Sequence, residues 1–154
     1  MRVDGSSTPV AFVLSPPTNV SYGITQIVLT VHSTGMDLAT ASELRTFGAS
    51  GALSTGITIF ESRGAPAVNV QLLPTPLKTV AGVFRSSQWG PSGGPFVIGH
   101  TDAIAAGTDS LSFVINTGPI TLRKNTADLL TVLISDDLTG LALFEAHAIG
   151  VQYL

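Results

Sequence analysis

The sequence predicts an all-β protein, an antiparallel β-sandwich of jelly-roll type. Three observations carry that expectation. Apolar residues recur at period two in several segments, as they do when one face of a strand is buried. The 16 glycines and 9 prolines among 154 residues leave few uninterrupted windows for a long helix. Clusters of Ser, Pro, Asn, Asp and Gly separate the alternating segments at near-regular spacing, the pattern of a sandwich or barrel without a helical layer.

The expected strands run in order. Pro9–Leu14 is the first, ended by Ser15-Pro16-Pro17-Thr18-Asn19. In Gln26–His32, Ile27, Leu29 and Val31 alternate with Gln26, Thr30 and His32, with Val28 as an apolar residue on the outer phase. Ile57–Glu61 follows, then Val68–Leu72, where Val68, Val70 and Leu72 alternate with Asn69 and Gln71. Leu77–Phe84 and Phe96–Gly99 come next, and in Leu111–Thr117 the inward phase is Leu111, Phe113 and Ile115. Leu129–Ser135 and Ala142–Tyr153 close the series, separated by the turn formers Asp136-Asp137-Leu138-Thr139-Gly140. The alternating segments read as half-buried antiparallel strands, one face packed and the other wet or against a partner. The connections at 33–56 and 85–96 are too long for simple hairpins, which favours a jelly roll over an up-and-down barrel. Within the first, Asp37–Arg45 has the composition of a helical turn capped by Asp37. The reading is one domain over 1–154 with a short N-terminal arm at 1–8.

Composition narrows the function classes. Asp, Glu, Lys and Arg make up only 11% of the chain, against roughly 25% in an ordinary globular domain. Mean hydropathy is positive, yet no run approaches the ~20 apolar residues that span a bilayer. The opening MRVDGSSTPV lacks the basic-then-apolar layout of a signal peptide. There are no cysteines, which rules out disulfides and thiolate metal sites and suits a reducing compartment. The net charge is −3, and of the scattered basic residues only Arg123 and Lys124 are adjacent. That is not the basic stripe of a nucleic-acid binder. An apolar, charge-poor chain without membrane spans is expected to cover part of its surface with partners.

No catalytic set emerges. Gly90-Pro91-Ser92-Gly93-Gly94 matches G-x-S-x-G, but the nucleophile elbow needs a strand before Ser92 and a helix after it, and Pro95 follows instead. His32, His100 and His147 lack the i, i+4 spacing of metal-ligating pairs, with Asp37 or Asp102 as the only added candidates. Asp136 and Asp137 are adjacent and would point to opposite faces of a strand, while Glu61 and Glu145 have no evident partner. A glycosidase would need two carboxylates facing across a cleft. Phe47-Gly48-Ala49-Ser50-Gly51 has no preceding apolar strand and is no phosphate loop. Asn19-Val20-Ser21 matches the glycosylation sequon, which is idle without export. No enzyme, metal or cofactor is expected. Trp89, the only tryptophan, sits in the Gly/Pro loop Trp89–Pro95, where a lone aromatic reads as an interface anchor. The residues expected to contact a partner are Arg45 and Phe47 in the first long connection, Arg85, Trp89 and Phe96 in the second, and the residues before Pro9.

The order of features resembles that of small jelly-roll virion proteins of tailed bacteriophages. The stretches that carry the resemblance are Ser15-Pro16-Pro17, Tyr22-Gly23-Ile24-Thr25-Gln26-Ile27-Val28-Leu29, Phe47-Gly48, Leu53-Ser54-Thr55-Gly56-Ile57-Thr58-Ile59 and Ser135-Asp136-Asp137-Leu138-Thr139-Gly140-Leu141. The resemblance implies a non-enzymatic virion structural protein, made in the host bacterial cytoplasm. The leading role it implies is a capsid cement or decoration protein, a homo-oligomer with a trimer favoured, bound over the lattice of the major capsid protein. A tail, baseplate or fibre component is the alternative within that group, and a carbohydrate- or receptor-binding module the alternative outside it.

Overall fold

The computed structural model describes residues 3–34, 54–72, 76, 96–105, 108–141 and 143–154. Eight strands cross them: β1 (Val10–Leu14), β2 (Ser21–Thr34), β3 (Ile57–Arg63), β4 (Val68–Gln71), β5 (Phe96–Ala105), β6 (Thr108–Leu122), β7 (Leu129–Ile134) and β8 (Leu143–Tyr153). Among the described residues there is no helix. The strands form two antiparallel sheets, ordered β1-β7-β3-β4 and β5-β6-β2-β8. Side chains from both sheets merge in one core: Ile27 and Leu29 of β2, Ile57 and Ile59 of β3, Ile115 and Leu122 of β6, Ile134 of β7 and Phe144 of β8.

The period-two expectation holds for the core strands, with one refinement. Ile24, Ile27 and Leu29 are all buried, although positions 24 and 27 would face opposite ways on a regular strand. A bulge at Thr25 reconciles them, because the pairing of β2 with both β6 and β8 shifts between Ile24 and Gln26. An extra residue reverses the phase, so both isoleucines reach the core. On β6 the compensating irregularity falls at 117–119, where Gly118-Pro119 interrupts the pairing. Ile115 lies inward before it and Ile120 and Leu122 after it.

The strand expected over Val68–Leu72 forms, but it is not half-buried. Val68, Asn69, Val70 and Gln71 are all exposed. Among the described residues β4 pairs only with β3, as the outer edge of its sheet, and of the expected segment only Leu72, just past the strand, packs against the core. Alternation there reports strand geometry without burial. The Leu77–Phe84 strand and the Asp37–Arg45 turn fall outside the described residues.

Residues 3–5 pack against the body of the domain. Val3 is buried and its carbonyl accepts the Leu138 amide at 2.7 Å, the Gly5 amide donates to the Asp136 carbonyl at 3.0 Å, and Asp4 and Asp137 form a β-bridge. Gly5 is required by this approach: a Cβ there would overlap the Ile134 carbonyl oxygen. Ser6–Pro9 are exposed.

Candidate partner interface

Two features of the described residues stand out: buried carboxylates at the sheet ends, and an apolar groove between two strand edges.

The carboxylates follow from the strand phases. The inward phase of β7 extends at both ends into an aspartate, giving Asp128, Leu130, Val132, Ile134 and Asp136, all buried. A buried carboxylate must be fully hydrogen-bonded, and both are. Asp136 accepts the amides of Ser54 (3.1 Å), Thr55 (3.0 Å) and Gly56 (2.7 Å) and the Ser54 hydroxyl (3.3 Å). Gly56, at φ 100°, takes the left-handed conformation that closes this turn. Asp128 accepts Nε and Nη2 of Arg123 at 2.8 and 3.0 Å, together with the amides of Arg123 and Gly64. The Arg123 guanidinium, with the two backbone amides, holds the Asp128 carboxyl far below the usual carboxylate range against the opposing pull of burial.

Glu61 was expected to lack a partner; the structure corrects this. It continues the inward phase of Ile57 and Ile59, is buried, and takes a two-pronged ion pair from Arg63 at 2.7 and 2.8 Å. The i, i+2 spacing of Glu61 and Arg63 puts both on one face of β3. Glu145 likewise has a neighbour two residues on, His147 at 3.6 Å. Asp136 and Asp137 end β7 as turn residues, and Asp136 adds a buried anchoring role that its turn-like setting did not reveal. These groups tie loops to strands. Among the described residues, no group of three or more His, Asp or Glu is placed to hold a metal ion.

The groove has a different origin. Ile27 of β2 pairs with Ala148 of β8, and Leu29 with Ala146. The inward phase of β8 is therefore Phe144, Ala146, Ala148, Gly150 and Gln152, and only Phe144 is large enough to fill the core. The volume that larger side chains would occupy stays open. It forms a groove of about 540 Å³ lined by Phe12–Leu14 of β1, Tyr22, Gly23, Ile24 and Ile27 of β2, Leu130 and Val132 of β7 and the stretch of β8 from Ala146 to Gln152, in which His147 and Gln152 are polar. Phe12, which lines it, packs on Phe144 with ring centroids 5.4 Å apart and tilted by 32°.

Around the groove the surface is apolar. Val13 on β1 and Ile149, Val151 and Tyr153 on β8 are 55%, 47%, 54% and 54% exposed. Among the described residues β1 pairs only with β7 and β8 only with β2, so each stands at the edge of its sheet. Residues Ala146 to Leu154 are exposed without interruption. That run contains no Asp, Glu, Lys, Arg or Pro, the residues that ordinarily guard a free edge.

Comparison of the chain with known protein families, curated proteins and solved structures found no match.

Of the residues expected to contact a partner, Arg45, Phe47, Arg85 and Trp89 lie outside the described residues. Phe96 opens β5, its backbone opposite Asn116 of β6. The residues before Pro9 divide into the docked 3–5 and the exposed 6–8. The apolar side of the described molecule, β1 with β8, was missed. The signal for it was present in Ala146, Ala148 and Gly150, an inward phase too small to fill a core. Among the described residues no helix is long and apolar enough to cross a membrane.

Proposed function

We propose that this chain is a non-enzymatic structural protein that works inside a larger assembly and docks there through its β1–β8 side. The observation that carries this reading is the open groove, flanked by two unguarded strand edges and exposed Val13, Ile149, Val151 and Tyr153. Exposed apolar residues gathered along unpaired strand edges mark a contact site. The buried carboxylates support the same reading from the other direction, since each is consumed by two or more donors within the fold.

The resemblance to phage virion proteins supplies the kind of assembly, with decoration of the capsid lattice as the leading role. A two-layered sandwich of jelly-roll type is consistent with the nesting of strand pairs, β1 with β7 in one sheet around β2 with β6 in the other. The β3–β4 hairpin departs from that pattern. A decoration protein acts by mass action: many copies, each with modest affinity, stabilise the bound shell over the free one.

Co-sedimentation with phage heads and with isolated tails tests this. Retention on heads, lost in Val13→Asp, is the expected result. Retention on tails alone overturns the decoration role, and retention on neither overturns the virion reading.

A further inference from the structure

We propose that β8 is a homotypic edge: the β8 strands of two copies pair antiparallel about a two-fold axis at Ala148, joining their β5-β6-β2-β8 sheets into one. This rests on the reading that the β1–β8 side is covered in the working assembly, and it names the first thing that covers it.

The backbone sets the requirement. One side of β8 pairs with β2 over eleven positions, Ser21–Tyr153 to His32–Leu143. Along its other side, every second residue presents an amide and a carbonyl with no strand partner among the described residues. A strand of this length offers an edge of about 37 Å. Such an edge templates the addition of another strand unless charge or proline blocks it, and from Ala146 to Leu154 there is no Asp, Glu, Lys, Arg or Pro.

The side chains favour a second copy as the added strand. Ala148 is the midpoint of Leu143–Tyr153, so self-pairing about it uses the full strand with no overhang. In that register the inward residues at the joint are small: Ala148 meets Ala148 of the second copy, and Ala146 meets its Gly150. On the outer face Leu143 meets Tyr153 and His147 meets Ile149, cross-strand pairs that cover apolar surface. Glu145, the one acidic residue of β8, falls opposite Val151, about 20 Å along the strand from its own copy, so like charges do not face each other.

The β8 side chains supply part of the area such a contact needs. The exposed portions of Leu143, Ile149, Val151 and Tyr153 amount to on the order of 400 Å² per copy, about half of the roughly 800 Å² per partner in a standard stable interface. The strand edge itself contributes the remainder. A two-fold contact is isologous and closes on itself. It yields a dimer, or a hexamer if combined with a three-fold contact, and never an isolated trimer.

The absence of native cysteines makes the test direct. Light scattering on the purified chain should give an even-numbered oligomer, and Ile149→Lys with Val151→Lys should give a monomer with an unchanged circular dichroism spectrum. Ala148→Cys should form a disulfide-linked dimer under mild oxidation, and Thr121→Cys, exposed on β6, should not. This pair keeps the proposal testable if the lysine variant fails to fold. A monomeric wild type, or equal cross-linking of both cysteine variants, overturns the two-fold. A monomer that still sediments with phage heads sinks this proposal and leaves the assembly reading standing. A cross-linked dimer that binds no particle does the reverse.

Discussion

Asp136 accepts the Gly56 amide at 2.7 Å, joining residues eighty positions apart in the sequence. The same carboxylate collects the Ser54 and Thr55 amides, so one side chain fixes the entry to β3 against the exit of β7. Replacing it strands the buried Gly56 amide, at about 1–3 kcal/mol, and releases the part-buried donors of Ser54 and Thr55 at a smaller cost. Asp136→Ala should therefore lower stability by about 3 kcal/mol or more. Asp136→Asn should recover only part of this, because its amide nitrogen cannot accept. Chemical denaturation midpoints of the three proteins check the order.

Asp128 makes stability depend on acidity. Its folded-state pKa is depressed, so the native state binds its proton less readily than the unfolded chain does. The stabilisation is fully present above the ordinary carboxylate pKa of about 3.9 and is lost as pH falls below it toward the folded value. Urea midpoints measured from pH 7 down to pH 3 should decline at the acid end. Asp128→Asn should start lower at pH 7 and decline less. An equal acid decline in that variant would assign the effect to other carboxylates.

Gly5 is a contact residue by virtue of having no side chain. Its Cβ position overlaps backbone that cannot swing aside, the Ile134 carbonyl. Gly5→Ala should detach residues 3–5 and cost about 1–3 kcal/mol, in the range of overpacking. Hydrogen exchange gives a local readout: the Leu138 amide, bound to the Val3 carbonyl, should exchange faster. Gly118→Ala, where the added carbon meets nothing within 4 Å, should stay within about 0.5 kcal/mol of the wild type.

Two apolar strand residues should respond in opposite ways. Ile59 is fully buried, and Val68 is 62% exposed on β4. Ile59→Ala should cost about 2–5 kcal/mol through lost burial and a cavity. Val68→Ala should cost less than about 0.5 kcal/mol. Thermal or denaturant melts decide this, and a large loss at Val68 would mean that β4 is covered in solution.

The contrast between Ile59 and Val68 also shows what the sequence can and cannot convey. Period two identifies a strand because side chains alternate by geometry, which made β2, β4 and β6 legible, while β1, β3, β5, β7 and β8 were legible as apolar segments between turn formers. It does not say what lies over each face, and Val68-Asn69-Val70-Gln71 alternates as cleanly as a core strand while facing solvent. The bulge at Thr25 was illegible because its effect is a phase change, visible only when Ile24 and Ile27 are both found inward. The Glu61–Arg63 pair could have been read from i, i+2 spacing. The pairing of Asp128 with Arg123 and Gly64 depends on which loops meet, which is a tertiary fact. The groove was half legible: Ala146, Ala148 and Gly150 announce an unfilled position, but only the course of β1 shows what stands across from it.

The nested pairing has a kinetic side. β1 waits for β7, and β2 lies between β6 and β8, so most of the sheet is built from residues about a hundred positions apart. Chains dominated by such distant contacts fold on the order of milliseconds to seconds, because long loops must close before any pairing repays them. During that interval β2, rich in Ile, Val and Leu, has neither neighbour in place. The step most exposed to aggregation is thus the wait of β2 for strands that the ribosome delivers last, and slow synthesis of β6 to β8 would lengthen it.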